Sequence, residues 1–284
     1  MKSHRHLQGL TLIELLVAIA LGLLVLLAAS NLLISSSRSA TDVQGRNELL
    51  EESQIAQNYM AAQIREAVYV FPVGTTFDLG GGDTVKRPGG GAWKVGEVNK
   101  PSIVAFIRPP QSLPTVTNTC TSTSSTGIIA SNVKYCYQFF AYYPMLRSSW
   151  VAQAGGQNNP GIDIANESRW VLVELRRKYA TAPMIASLTA SSYMPPYTDG
   201  EYGRLLLDYV QPQSLALTGT PPLFEVTTAA PQAPGNTSVT INLALSRQVG
   251  GRAVTVPTRN AGTTGPQSVT PLVVTPRNVG NLAP

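Results

Sequence analysis

From Leu10 to Ile34 the chain is apolar or uncharged at every position but one, Glu14, and no proline interrupts the run. A bilayer core needs about 20 such residues in helical form, so residues 10–34 are long enough to cross one. After Ile34 the pattern becomes amphipathic. Leu49, Ala56, Met60, Ile64 and Val68 recur at spacings of seven, four, four and four, which draws an apolar stripe along one helix face. Gln54, Gln57, Gln63, Arg65 and Glu66 fall mostly off that stripe. Pro72 is the first proline and Gly74 follows it, so the pattern predicts one helix from about Thr11 to Val70, on the order of 90 Å long. The stripe is the face expected to pack under a globular head.

Beyond Pro72 the helical period is lost. Short β-rich runs alternate with Gly, Pro, Ser and Thr, and predict strands at Ser102–Ile107, Val133–Tyr143, Trp170–Tyr179, Arg204–Val210, Leu223–Thr227, Ser238–Ser246 and Ala253–Val256. Trp170, Leu172, Glu174 and Arg176 oppose Val171, Val173, Leu175 and Arg177. Ser238, Thr240, Asn242 and Ala244 oppose Val239, Ile241, Leu243 and Leu245, a half-buried pattern. Gly80–Gly82, Gly89–Gly91, Ala154–Pro160 and Ala229–Gly235 read as surface loops. The class is α+β: a long N-terminal helix packed on a mostly antiparallel β head. The expected divisions are a basic leader at 1–9, a membrane-spanning segment at 10–34, an amphipathic exported half-helix at 35–71 and a β-rich head at 72–284.

Charge fixes the orientation of the span. Lys2 and Arg5, with His4 and His6, precede it, and the positive-inside rule leaves that end in the cytoplasm and exports the rest. A secretory signal would have a shorter apolar core with its cut site behind it. An ionised side chain inside a bilayer costs about 2.5–3.5 kcal/mol, so Glu14 demands a purpose that an uncleaved single-span anchor does not supply.

The segment Gly9-Leu10-Thr11-Leu12-Ile13-Glu14 resembles the cleavage and methylation motif of type IV pilins and type II secretion pseudopilins. The resemblance implies that a membrane peptidase cuts between Gly9 and Leu10 and methylates the new amine of Leu10. It also implies that Glu14, with Thr11 beside it in the motif, serves filament assembly. The family usually has Phe after the cut, where this chain has Leu10. The carboxylate of Glu14 would pair with the Leu10 ammonium of a neighbouring subunit, each neutralising the other. The implied partners are the prepilin peptidase and methylase, other major and minor pilins or pseudopilins, an inner-membrane assembly platform and the inner membrane itself. The order of helix and head is similar to PilW-like minor pilins and the J pseudopilin of type II secretion. In that comparison Arg169–Arg177 loosely resembles an exposed edge strand, and Val256–Asn260 shows an equally loose likeness.

Two cysteines, Cys120 and Cys136, flank a Ser/Thr-rich stretch. In an exported head they read as one disulfide worth about 3 kcal/mol, with two free thiols as the competing reading. Both histidines lie in the leader, so a chain cut after Gly9 has none for nucleophile systems or metal sites. The acids are scattered, and Gly80-Gly81-Gly82-Asp83-Thr84 lacks the Gly-Lys-Ser/Thr of a phosphate loop. Asp199-Gly200-Glu201 and Asp163 with Asn166 and Glu167 lack EF-hand spacing, and a solvated turn competes with calcium at both. The sequence therefore predicts no enzyme, no cofactor and no metal.

The net charge of +5 falls to +3 on loss of Lys2 and Arg5. Arg147, Arg169, Arg176, Arg177, Lys178, Arg204, Arg247, Arg252, Arg259 and Arg277 would form a DNA-contacting patch if they clustered, with Arg176-Arg177-Lys178 at its centre. Tyr135, Tyr137, Phe139, Phe140, Tyr142 and Tyr143 would then supply stacking faces. Solvated arginines around an aromatic core strand are the alternative.

Overall fold

A helix of 54 residues, α1 (Leu12–Arg65), begins the computed structural model, which describes residues 12–80, 84–97, 101–112, 120, 133–154, 158–179, 183–184, 188, 203–211, 222–257 and 270–282. The chain divides into two compact units, residues 1–47 and 48–284. In the first unit the helix is exposed along its apolar length, from Leu12 (83 % exposed) to Leu33 (72 %).

In the second unit, the last turns of α1 lie against a seven-stranded antiparallel sheet. Its order is β1 (Tyr69–Val70), β4 (Val104–Arg108), β5 (Gln138–Leu146), β6 (Trp170–Lys178), β7 (Arg204–Val210), β10 (Leu245–Val249) and β11 (Arg252–Val256). A three-stranded sheet joins β12 (Thr270–Val274), β9 (Ser238–Leu243) and β8 (Phe224–Thr227), and a short pair joins β2 (Thr76–Phe77) to β3 (Trp93–Lys94). A short helix, α2 (Arg147–Gln153), follows β5 directly. The fold is α+β and pilin-like, with a long N-terminal helix leading into an antiparallel head.

The pleat explains the layering. On β4, β5 and β6, alternate residues Phe106, Phe140, Tyr142 and Glu174 face α1, and the Tyr59 hydroxyl of the helix reaches Glu174 at 2.9 Å. The opposite face carries Phe139 against Phe71 and Phe77, and Tyr143 against Trp93. The sheet is thus covered on both sides, and β5 and β6 are buried nearly throughout rather than in alternation. Leu49, Ala56, Met60 and Ile64 are all buried, as is Gln57, which lies off the stripe. Gly203 has no room for a side chain: a Cβ there would stand 2.5 Å from Val173 and 2.6 Å from the Tyr143 hydroxyl.

Several sequence expectations need correction. The helix ends at Arg65 and not near Val70, because Tyr69 and Val70 pair with Ile107 and Phe106 as the first strand. The C-terminal segment then meets the helix end, with Arg277 N–H donating to the Arg65 carbonyl at 2.9 Å. Residues 133–135 form a single 3-10 turn, and the strand begins only at Gln138. Ser238–Ser246 is two strands in two sheets, broken at Ala244, whose carbonyl accepts from Gln211 N–H at 2.8 Å. Arg169–Arg177 is no edge strand, since β6 lies between β5 and β7.

Candidate assembly segment and the polar clusters of the head

Glu14 sits in the first turn of α1, where an acid complements the exposed N–H groups and positive dipole end of a helix. Around and beyond it the helix presents Ile13, Leu15, Leu16, Val17, Ile19 and Leu21, all at least half exposed, so an acid and a long uncovered apolar surface share one element. The length and composition of this helix suffice to cross a membrane. In water such a surface would be costly, at about 25 cal/mol for each Å² of apolar area. Lipid or neighbouring helices would remove that cost. Gly9, Leu10 and Thr11 lie outside the described residues.

Residues 5–30 match the family model described as the prokaryotic N-terminal methylation motif. This N-terminus is of the type IV pilin and pseudopilin kind. The motif implies processing by a prepilin peptidase and assembly with other pilins, and with the apolar helix it fits a membrane-anchored structural subunit. No curated protein and no solved structure gives a significant match to the chain.

Within the head, Cys120 and Cys136 are joined in a disulfide. Among the described residues no three His, Cys, Asp or Glu side chains gather as a metal site would require. Asp163 and Asn166 are engaged with each other at 2.8 Å, and Asn166 also accepts from Gln248 N–H at 2.7 Å. Asp199, Gly200 and Glu201 lie outside the described residues, as do Gly81, Gly82, Asp83 and Arg259.

The basic triad does not form a surface patch. Arg177 is 2 % exposed and donates to the Leu79 carbonyl at 2.6 Å. Arg176 turns onto Glu174, donating at 2.5 Å, and onto the Tyr59 hydroxyl, while Lys178 is half-buried. Arg147 is 1 % exposed, and Phe139, Phe140, Tyr142 and Tyr143 are wholly buried, so these rings offer no face to a base. Single-sheet alternation placed Arg176 and Arg177 on opposite faces; that the second face is also covered could not be read from β6 alone.

Two polar clusters were invisible in sequence. In the first, Glu174 accepts from Tyr59, Tyr142 and Arg176, while the Arg108 and Arg176 guanidiniums stack over Phe140 at 5.3 and 4.9 Å. Arg108 also engages Gln63 of α1 and Glu66 just beyond its end. Burial, reinforced by the Glu174 charge, pushes the Tyr59 and Tyr142 hydroxyls upward in pKa. In the second, Arg147 donates to both Asp208 oxygens at 3.0 and 3.1 Å and to the Gly161 carbonyl at 3.0 Å. Asp208 and Tyr209 sit at a bulge where β7 slips against β6, and Tyr209 adopts φ +57°. That bulge aims the Tyr209 hydroxyl at Asp163, 3.2 Å away, and brings the Arg147 and Arg247 guanidiniums over its ring. Burial raises the Asp208 pKa more than Arg147 lowers it.

Proposed function

We propose that this chain is a minor pilin, a structural subunit that primes, caps or inserts into a type IV pilus. The observation that carries this reading is that the methylation motif at residues 5–30 runs into a helix that bears the acid Glu14 in its first turn and a long uncovered apolar surface. Cleavage after Gly9 would create an ammonium at Leu10, four residues from Glu14. Assembly would set that ammonium of one subunit beside the carboxylate of the next, so that two charges costly in lipid cancel only at the correct stagger. The anchor would hold the chain in the inner membrane with its head outside the cytoplasm until it enters the filament.

The head supports a role in contact rather than chemistry. Its polar clusters tie its own elements together, and its buried rings fill the core. The J-type pseudopilin of type II secretion is the second reading, because the same motif and helix serve both machines. A deletion strain scored in parallel for surface filaments, twitching, DNA uptake and protein secretion separates them. Loss of filaments or twitching with secretion intact is the expected result; loss of secretion alone would assign the pseudopilin role.

A further inference from the structure

Among the described residues the seven-stranded sheet ends at β1, which pairs with β4 on one side only. Phe71 N–H donates to the Ala105 carbonyl of β4 at 3.0 Å. The alternation of an antiparallel ladder therefore turns the N–H and carbonyl of Val70 the other way, off the sheet. Outward groups of this kind are where an extended segment of another chain adds as a further strand. Here both are taken. The Gln232 side-chain oxygen accepts from Val70 N–H at 3.0 Å, and its amide donates to the Val70 carbonyl. One carboxamide, with a donor and an acceptor in fixed relation, makes the two hydrogen bonds that a residue of a neighbouring strand would make. The Val68 carbonyl accepts from Gly280 N–H at 3.3 Å, so that group is covered as well.

Both covering segments leave the three-stranded sheet: Gln232 lies between β8 and β9, and Gly280 follows β12. The Gln232 loop is folded on itself. The Asn236 side-chain oxygen accepts from Ala233 N–H at 2.7 Å, and its amide donates to the Pro231 carbonyl at 2.8 Å. Gly280 then presses on that loop: it adopts φ +86°, and a Cβ there would stand 2.8 Å from the Gln232 carbonyl oxygen. Only glycine fits at that position.

Beside the amide lies an apolar groove of about 380 Å³, lined in part by Val68, Tyr69, Pro72, Ala229 and Pro231. Without Gln232, a free N–H and carbonyl would stand next to room for an apolar side chain, the two features that strand addition uses. With Gln232 in place the polar half of that combination is gone, and an incoming strand would have to displace the amide first. We propose that Gln232 is an autoinhibitory guard of the sheet edge, whose carboxamide keeps extended segments of other chains from adding to β1. This goes beyond the filament-subunit reading and does not depend on it.

The test uses the full chain purified in dodecyl maltoside. The probe is a dye-labelled peptide copying residues 102–108, a segment whose strand β4 already pairs with β1 from the other side. Gln232→Ala frees both Val70 groups and should bind this peptide about tenfold tighter than the wild-type chain, read by fluorescence anisotropy. The same peptide methylated on all its backbone nitrogens cannot form a ladder and should show no such gain. Gln232→Glu keeps an acceptor for Val70 N–H and strands only the carbonyl, so its gain should be smaller, about threefold. Emission from the buried Trp93 and Trp150 reports whether each variant keeps the native head. Equal affinity of the wild-type and Gln232→Ala chains would overturn the proposal, and so would an equal gain with the methylated peptide, which would locate the effect in the apolar groove alone. If Gln232→Ala loses the native emission, Gln232→Glu decides, and the absence of any gain there overturns the guard.

Discussion

The Tyr59 hydroxyl donates to the Glu174 carboxylate at 2.9 Å, linking the end of α1 to the middle of the seven-stranded sheet. Glu174 is 4 % exposed and also accepts from Tyr142 at 3.1 Å and from Arg176. Removing the acceptor strands three donors, whereas removing the Tyr59 hydroxyl leaves only one N–H of the partly exposed Arg176 without its acceptor. Glu174→Ala should therefore cost about 3 kcal/mol and Tyr59→Phe about 1 kcal/mol, read by urea unfolding of the detergent-solubilised chain through its buried tryptophans. Equal losses would show that Glu174 is not the hub.

Alkali should unfold the head through its tyrosines. Tyr143 is wholly buried, donates to the Thr84 carbonyl at 3.0 Å, and burial holds its pKa far above the ordinary value despite Arg177. Tyr142 is raised in the same sense, by burial first and the Glu174 charge second. A phenol whose pKa is higher folded than unfolded binds more protons in the native state. Its contribution is complete below about pH 10 and is lost as pH climbs beyond. Stability should fall above that point, less steeply in Tyr143→Phe, with tyrosinate absorbance appearing together with unfolding. Early titration of all tyrosines without unfolding would contradict this.

Arg147 carries a different kind of load. It is 1 % exposed and holds Asp208 with one edge and the Gly161 carbonyl with another. Arg147→Met leaves Asp208 without its ion-pair partner and should cost about 3–5 kcal/mol. Proteolysis between Asn158 and Asn166 should speed up before global unfolding does. Unchanged cleavage there would mean that the loop stands without this brace.

The helix was legible because its signal is long: the stripe from Leu49 to Ile64 repeats the same face, and packing then buried it. Its end was not, because Tyr69 and Val70 become a strand only through Phe106 and Ile107, over thirty residues away. The switch between sheets at Ala244 left no trace in the alternation, since the inward residues Val239, Ile241, Leu243 and Leu245 keep one period through both strands. Strands of two residues carry no period at all, and Pro271 hid the last strand. The motif around Glu14 is local and could be read directly. The partners of Arg147 and Glu174 lie in other strands, so their charges looked available when they were already engaged.

Replacing Glu14 with Val removes the one charge in the apolar run and should leave membrane insertion intact, or slightly improved. Incorporation into filaments should drop by about tenfold or more, because correct and incorrect staggers then differ little in energy. The check is the ratio of the variant in sheared filaments to that in membranes. A wild-type ratio would remove Glu14 from assembly.

The most direct measurement is the intact mass and N-terminal sequence of this chain recovered from assembled fibres. A polypeptide beginning at methylated Leu10 is the predicted result. A polypeptide that still carries Met1 to Gly9 in those fibres would contradict the account, since no new ammonium would then exist to meet Glu14.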